Sequence, residues 1–258
     1  MKRLEDAADF VVIGSGAGGA TAARVLSAAG CSVIVLEEGP SLAPDQRSRA
    51  LLPAMDEAVR DMATIATSGR TPIPLLMGRC VGGSTAVNSG IIWRMPEDVQ
   101  QDLRTRHGLG ELVEASALER CFEQIEADLS VAEVRDDVMG GNAELLRAGS
   151  QALGLGGQPI RRNARGCKGS ARCLQGCPNG ARQSMDVSYL PEAVRHGARI
   201  HPLTRARRVL FEGGRAVGVS AEQLDPSTKK PIAKLSVRAR RGVIVAAGAI
   251  FSPLLLLR

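Results

Sequence analysis

The order of apolar and polar positions in the N-terminal part of the chain predicts a strand, a helix and a second strand. Residues 9–14 and 31–37 are short apolar runs, and the stretch between them, residues 19–29, is rich in alanine. Such runs are typical of buried strands, and small side chains let a helix pack closely on a sheet. The pattern predicts a βαβ unit of about 30 residues with parallel neighbouring strands.

The C-terminal third is a series of short apolar runs separated by turn residues. Strands are predicted over residues 199–203, 207–211, 216–222 and 232–237. The intervening glycines and the Asp225-Pro226-Ser227 turn favour hairpins, so these strands are expected to form a small antiparallel meander. Residues 242–247 are continuously apolar, which suits an interior strand of a parallel sheet.

Helical patterning dominates the middle of the chain. Residues 51–66, 97–155 and 185–196 have the spacing of amphipathic helices. The predicted class is therefore α/β: a parallel sheet with a helical insertion and a small antiparallel β-meander. The insertion, residues 97–185, includes a loop that carries three cysteines.

Composition narrows the possible partners. The chain of 258 residues has a formal net charge of +6 but one Trp and one Tyr, so aromatic platforms for single-stranded nucleic acid are not expected. No nucleic-acid motif accompanies the arginines, and we expect no nucleic-acid partner. No segment has the apolar length of a membrane span, and residues 1–8 lack the apolar stretch of a signal peptide. We expect a cytoplasmic protein without membrane contact.

The first apolar run leads directly into a glycine turn with a dinucleotide-binding spacing. Gly14 permits the tight turn, Gly16 lets the backbone approach a pyrophosphate, and Gly19 lets the helix lie close to the strand. Glu37 closes the second strand, where a carboxylate can bind ribose hydroxyls. We interpret the neighbouring Glu38 as a solvated side chain. The unit is thus a Rossmann-type dinucleotide site.

A second glycine-rich segment, residues 78–88, resembles the first signature of the glucose–methanol–choline (GMC) oxidoreductases, flavoenzymes that oxidise alcohols. The resemblance implies FAD as the cofactor, with Gly82, Gly83 and Ser84 along its diphosphate and Asn88 near the flavin ring. Arg79 belongs to the same segment and is included among the candidate cofactor residues. The sequence departs from the family pattern at Ile92, where an aromatic residue or alanine is usual.

The C-terminal residues resemble the beginning of the second GMC signature, in which the strand returns to the cofactor and a helix starts beneath it. Gly248 is the candidate cofactor residue here, and Ser252 and Pro253 suit a helix start. Ala206 is a further candidate, on a strand expected to touch adenine. The resemblance covers only the N-terminal, FAD-binding portion of the family, so residues 1–258 are expected to form an incomplete domain without the C-terminal substrate and catalytic part.

The resemblance implies oxidation of a CH–OH group by hydride transfer to FAD, with a small-molecule alcohol as substrate and an electron acceptor that the sequence does not identify. The family's catalytic histidine pair lies beyond residue 258, and His107, His196 and His201 match no such motif. No catalytic residue is therefore assigned. The alternative is a truncated or split flavin-binding module, inert until another chain supplies the missing half. A disulfide reductase is disfavoured because Cys80 has no neighbouring cysteine in the sequence.

Cys167, Cys173 and Cys177 form the remaining unusual feature, a glycine-rich three-cysteine loop. Some GMC dehydrogenases carry a similar loop that binds a [3Fe–4S] cluster, so such a cluster is one interpretation. Zinc, a disulfide and a loop in which the cysteines only pack are the others. Cys31, Cys80 and Cys121 are interpreted as small apolar core residues.

Overall fold

A computed structural model describes residues 2–110 and 114–257. The strands are β1 (Lys2–Ile13), β2 (Val33–Leu36), β3 (Val131–Glu133), β4 (Arg161–Asn163), β5 (Arg199–His201), β6 (Thr204–Glu212), β7 (Arg215–Leu224) and β8 (Pro231–Val245). The helices are α1 (Ala17–Ala28), α2 (Leu51–Ala58), α3 (Glu97–Arg106), α4 (Ala115–Asp128), α5 (Gly141–Ala152), α6 (Tyr189–Arg195) and α7 (Gly248–Leu256).

The chain divides into two compact units. The first contains residues 1–89, 172–180 and 184–258, and the second contains residues 90–171 and 181–183. The first unit carries the large sheet, and the second carries α3, α4 and α5 with a two-stranded sheet of β3 and β4.

The predicted βαβ unit is confirmed as the centre of a six-stranded sheet with the order β5-β2-β1-β8-β7-β6. The first four strands of this order run parallel, and β8, β7 and β6 pair antiparallel. The α/β class and the mostly parallel sheet are thus confirmed. Strand β1 begins at Lys2 rather than near residue 9, because its first half pairs with β8 from Ala233 onward.

The predicted meander is correct for three strands and wrong for one. Residues 199–201, expected in the meander, form β5 at the opposite edge of the sheet, parallel to β2. The apolar runs 232–237 and 242–247 were expected as separate strands, but both belong to β8, which continues from the antiparallel part into the parallel part. A short strand with few apolar residues does not specify its partner, which explains the first error.

The core lies on both faces of this sheet. On one face Val11, Ile34, Leu235 and Val237 pack together with Leu255 of α7. On the other face, Val12, Val33 and Val35 pack against alanines of α1 and α6, Ala23 and Ala193. Alanine at these helix positions permits the close approach that the composition of α1 predicted. The two faces hold the carboxyl ends of β1, β2 and β8 at one edge.

Helix α2 is shorter than the predicted helix over 51–66. It ends at Ala58, and Asp61, Met62 and Ala63 then take positive φ values of 46°, 50° and 60°. This left-handed conformation is unfavourable for residues with a Cβ. The ion pair of Arg60 with Glu38 connects the turn to the carboxyl end of β2.

Ion pairs connect elements within the second unit. Glu126 of α4 accepts hydrogen bonds from Arg94 and from Arg161 of β4. Cys121, interpreted from the sequence as a core residue, is exposed on α4. The sequence pattern could not reveal this exposure, because an apolar stripe on a helix does not indicate whether another element packs against it.

Within residues 2–110 and 114–257, no helix has the length and apolar character to cross a membrane.

Candidate functional site

A cavity of about 760 Å³ lies at the carboxyl ends of β1, β2 and β8, entirely within the first unit. Its wall contains residues 13–18 after β1, residues 36–38 after β2, residues 83–85 and 88 of the second glycine-rich segment, and residues 246–251 after β8. In open parallel sheets this edge is where ligands bind. The volume is in the range of cofactor and small-molecule pockets.

The three glycines of the first turn meet different surroundings. A Cβ on Gly14 would lie 2.4 Å from the carbonyl oxygen of Ala246, and one on Gly19 would lie 1.9 Å from the carbonyl oxygen of Gly14. A Cβ on Gly16 would meet nothing within 4 Å. Gly14 and Gly19 are therefore required by the packing of the turn, whereas Gly16 leaves its space to the cavity.

The second glycine-rich segment lies directly against this turn. A Cβ on Gly83 would lie 2.9 Å from the Cα of Gly16, and one on Gly78 would lie 2.4 Å from the carbonyl oxygen of Gly83. Residues Gly83–Ala86 form a single 3₁₀ turn that follows Gly82, whose φ is +94°. Glycine backbone from two segments nearly 70 residues apart in sequence thus lies in contact. The hydrogen bond that the N–H of Gly82 donates to Oγ of Ser15 joins the same two segments.

This backbone cradle fits the diphosphate of a dinucleotide such as FAD. Backbone N–H groups at a helix N-terminus bind anions, and Gly16 stands at the N-terminal cap of α1, where none of these groups is capped by a side chain. The absence of a Cβ at Gly16 leaves room for phosphate oxygens to approach the main chain, and the absence of one at Gly83 lets the second glycine-rich segment lie against Gly16. The residues present therefore suit the group that the sequence motif predicts.

Glu37 is buried at the end of β2 and is held by three donors. Its Oε2 accepts hydrogen bonds from the backbone N–H and the hydroxyl of Ser15, at 3.1 and 2.6 Å, and its Oε1 accepts one from the N–H of Gly39 at 2.9 Å. Burial raises the pKa of Glu37 above its ordinary value, and these hydrogen bonds oppose that rise. Glu37 is among the residues that line the cavity, where ribose hydroxyls would be additional donors.

Ser15 is a site residue that the sequence reasoning missed. It is fully buried, donates to Glu37 and accepts a hydrogen bond from the N–H of Gly82 at 3.0 Å. It therefore links the first glycine turn, the end of β2 and the second glycine segment. Its place between Gly14 and Gly16 was the available signal, because a small hydroxyl side chain in that turn can reach the acid that closes the next strand.

The interpretation of Glu38 as a solvated side chain is wrong. Its side chain is 19 % exposed, and its carboxylate pairs with Arg60 at 2.6 Å and with Arg205 at 3.0 Å. Burial alone would raise the pKa of Glu38, but the two guanidinium groups outweigh it and hold the pKa below its ordinary value. Arg60 also lies over the ring of Phe251, 4.1 Å from its centroid. This cluster forms one wall of the cavity.

The structure brings most of the candidate cofactor residues to this cavity. Those that line it are Gly14, Gly16, Glu37, Arg79, Gly83, Ser84, Asn88, Ala206 and Gly248. Gly19 and Gly82 lie outside the lining, in the packing of α1 on β1 and in the turn that precedes Gly83. The roles of these residues toward a cofactor stay predictions.

None of the three histidines lines the cavity. His107 is 3.6 Å from Asp102 in the second unit, and His201 is 3.2 Å from Asp6 at the edge of the large sheet. The chain's other titratable groups at the cavity are Glu37, Glu38, Asp61 and four arginines. Glu37 and Glu38 are both engaged in hydrogen bonds.

The three-cysteine loop does not form a metal centre in the described part of the chain. Cys167 belongs to the second unit, whereas Cys173 and Cys177 belong to the first. Across the described residues, no group of three or more His, Cys, Asp or Glu side chains is arranged to hold a metal ion. The structure therefore gives no support to the [3Fe–4S] or zinc interpretations. None of the six cysteines forms a disulfide, so that interpretation is not supported either.

Comparison with known proteins agrees with the geometry. The family model described as GMC oxidoreductase matches residues 8–258. An uncharacterized GMC-type oxidoreductase of Mycobacterium tuberculosis is 41 % identical over 252 residues, which cover 97 % of this chain and 39 % of the relative. The long-chain-alcohol oxidase FAO3 of Arabidopsis thaliana is 29 % identical, over 96 % of this chain and 34 % of the relative.

Among solved structures, a formate oxidase of Aspergillus oryzae has a TM-score of 0.63 and 16 % identity, and the match covers 98 % of this chain and 47 % of that one. This likeness shows a shared fold. The chain spans between about a third and a half of the length of these relatives.

Proposed function

The chain belongs to the GMC oxidoreductase family, and from that premise we propose that it is the FAD-binding part of an oxidoreductase that oxidises a CH–OH group. The observation that carries the proposal is the cavity. Two glycine segments and a buried carboxylate, all distant in sequence, converge on one space at the carboxyl edge of the parallel sheet.

The residues of this chain bind and orient the cofactor. The N-terminus of α1 and the backbone around Gly16 and Gly83 would hold the diphosphate, and Glu37 would accept hydrogen bonds from ribose hydroxyls. Asn88, on the cavity wall, would lie toward the flavin ring. When bound, FAD supplies the hydride acceptor for alcohol oxidation.

The proton acceptor for the alcohol is proposed to lie outside these 258 residues. No histidine lines the cavity, and the two glutamates at its wall are already held by hydrogen bonds or ion pairs. The third carboxylate of the wall, Asp61, is exposed to solvent. The relatives are two to three times longer than this chain, so they contain residues that this sequence does not. On this basis the chain by itself binds flavin without turning over an alcohol.

Long-chain alcohols are the substrate class we propose for the whole protein. The long-chain-alcohol oxidases of Arabidopsis thaliana match nearly the full length of this chain at 29–30 % identity, whereas formate oxidase matches at 16 %. A split arrangement, in which a second chain supplies the remainder, is the alternative. It predicts the same binding by this chain.

The test is an FAD titration of the purified chain followed by anaerobic addition of alcohol. We expect quenching of flavin fluorescence on binding and flavin absorption bands that do not bleach with 1-dodecanol or with formate. A chain that does not bind FAD contradicts the cofactor assignment. Bleaching by either compound contradicts the placement of the proton acceptor outside this chain.

The substrate class needs a longer protein that includes the region present in relatives. With that protein, bleaching by 1-dodecanol in preference to formate and short alcohols is the expected result. Preference for formate or for a short alcohol would overturn the long-chain assignment while leaving the FAD assignment intact.

A further inference from the structure

The first unit contains a buried ion pair whose two residues do not line the cavity. Arg47 and Asp186 are paired, and their side chains are only 5 % and 7 % exposed. The same guanidinium nitrogen, Nη2, also donates to the carbonyl oxygen of Leu42 at 3.4 Å. Burying two charges costs several kcal/mol per ion and does not in general stabilise a fold, so the position of this pair calls for another explanation.

On one side, the pair supports the turn at Gly82. A Cβ on Gly82 would lie 2.9 Å from Oδ1 of Asp186 and 3.1 Å from its Cβ, so the carboxylate is in contact with the main chain of the turn. That Oδ1 is buried and has no hydrogen-bond partner among the described residues. Oδ2 of Asp186 is thus paired with Arg47, while its Oδ1 lies against Gly82.

A second connection links the same segment to the turn. The N–H of Met185 donates to Oγ1 of Thr85 at 3.1 Å, and the Thr85 hydroxyl donates to the carbonyl oxygen of Gly82 at 2.6 Å. The N–H of Gly82 donates to Ser15, the buried serine between the two cofactor-binding glycines. A displacement of Asp186 would therefore also change the position of the first glycine turn.

On its other side, the pair supports the cysteine loop, which we define as residues 172–180 of the first unit. A Cβ on Gly176 would lie 2.6 Å from Cδ of Arg47 and 3.1 Å from its Nη1. Nη1 of Arg172 donates to the carbonyl oxygen of Arg49 at 2.6 Å. The Arg47 side chain thus fills the space between Asp186 and the residue that precedes Cys177.

We propose that Arg47 and Asp186 are positioning residues that couple the cysteine loop to the cofactor-binding turn at Gly82. Two cysteines of the three-cysteine motif, Cys173 and Cys177, then belong to a loop whose order depends on the turn. Ligand in the cavity and order in the loop stabilise each other, because a coupling free energy acts equally in both directions. That the ligand is FAD rests on the function proposed above.

Alkylation of Cys177 measures this coupling without any catalytic readout. Cys177 is buried, so its reaction with iodoacetamide reports opening of the loop, and mass spectrometry of its peptide separates it from the exposed Cys121. In the unaltered chain, saturating FAD is expected to slow alkylation of Cys177 at least about tenfold, the effect of 1.4 kcal/mol of coupling. An unchanged rate in a chain that binds FAD overturns the coupling.

Variants of Arg47 and Asp186 test whether this ion pair transmits the coupling between the cavity and the cysteine loop. Without FAD, Arg47→Met is expected to speed alkylation of Cys177, since the uncompensated carboxylate leaves Gly82 and the loop loses its support. In Arg47→Met/Asp186→Asn, which removes both charges, FAD is expected to bind but no longer to slow the alkylation. The matched control is Arg106→Met/Asp102→Asn, an exposed pair on α3 that should change nothing.

The two proposals fail separately. If the unaltered chain does not bind FAD, the assigned function is overturned, yet a faster reaction of Cys177 in Arg47→Met still supports the pair as the support of the loop. If FAD binds and the variants react and respond to FAD like the unaltered chain, the pair does not transmit the coupling. Should Arg47→Met not fold, Arg47→Lys keeps the charge but loses the guanidinium contacts, and Cys177 is expected to react faster in it than in the unaltered chain; an equal rate contradicts the proposal.

Discussion

At the residue scale, Gly16 and Gly19 both lack a side chain but for different reasons, and this difference can be measured. Gly19→Ala places a methyl group where the carbonyl of Gly14 lies, 1.9 Å away, so it is expected to destabilise the fold by roughly 1–3 kcal/mol. Gly16→Ala places a methyl group in the cavity with nothing within 4 Å, and it should cost under about 1 kcal/mol. It should weaken FAD binding about tenfold or more.

Urea unfolding followed by circular dichroism gives the first quantity, and quenching of FAD fluorescence gives the second. Gly213→Ala, in the hairpin turn between β6 and β7 and outside the cavity wall, is the control for FAD affinity. If Gly16→Ala bound FAD as tightly as the unaltered chain, the diphosphate would not pass over Gly16.

Ser15 carries a second prediction at this scale. Ser15→Ala removes the donor to Glu37 and the acceptor for the N–H of Gly82, and it leaves that buried N–H without its partner. We expect a loss of about 1–3 kcal/mol in the free energy of unfolding, together with weaker FAD binding. Ser48→Ala, which alters a half-buried hydroxyl with one long hydrogen bond, is the matched control. Equal stabilities of the two variants would show that Ser15 does not join the two glycine segments.

At the element scale, the ion pairs of Glu126 make the acid stability of the second unit predictable. Its two arginine partners hold the pKa of Glu126 well below the ordinary value of 4.5, at about 2. Because the folded pKa is depressed, the stabilisation is fully present above about pH 4.5 and is lost as the pH falls through 2. Below this range α4 and β4 lose the interaction that joins them.

Trp93 reports this transition, because it is the single tryptophan and precedes Arg94 in the second unit. Glu126→Gln is expected to lower stability at neutral pH and to flatten its dependence on pH between about 4.5 and 2, as measured by tryptophan fluorescence during urea unfolding. Asp137→Asn removes an exposed carboxylate of the same unit and should leave the profile unchanged apart from a small shift. A profile of Glu126→Gln as steep as that of the unaltered chain would contradict the assignment.

The elements themselves were predicted unevenly. The unit of β1, α1 and β2 follows from periodicity and alanine content, since both are local in the chain. The end of α2 and the left-handed turn after it did not follow, because Asp61, Met62 and Ala63 are ordinary residues in an unfavourable conformation that only their surroundings maintain. Likewise, the partner of β5 depends on the edge of the sheet that is available to it, not on its own three residues.

At the scale of the whole molecule, the position of the cavity predicts how ligand binding changes stability. The cavity lies entirely in the first unit and connects β1, β2, β8 and the second glycine segment. FAD at 100 times its Kd is therefore expected to raise the free energy of unfolding by about 2.7 kcal/mol, by mass action on the folded state. Thermal unfolding with and without FAD, followed by circular dichroism, measures this shift.

NADH is the control ligand, because it has a diphosphate but no flavin. A Tm raised equally by NADH and FAD would mean that the cavity recognises a dinucleotide in general, and one raised by neither would remove the cavity as the cofactor site. At the same FAD concentration, Gly16→Ala should reduce the stabilisation to about 1.4 kcal/mol or less, because its Kd is about tenfold or more higher, while leaving the Tm without ligand nearly unchanged.

The sequence by itself determined the α/β class, the first βαβ unit, the family and most of the residues that line the cavity, because each of these depends on short-range patterns: apolar periodicity, small residues and glycines at required positions. The tertiary structure alone decided which strands are neighbours and what supports the site. Ser15 with Gly82 and Arg47 with Asp186 are pairs 67 and 139 residues apart. Such contacts depend on how distant segments pack, and a carboxylate or hydroxyl in the sequence carries no mark of the partner that folding brings to it.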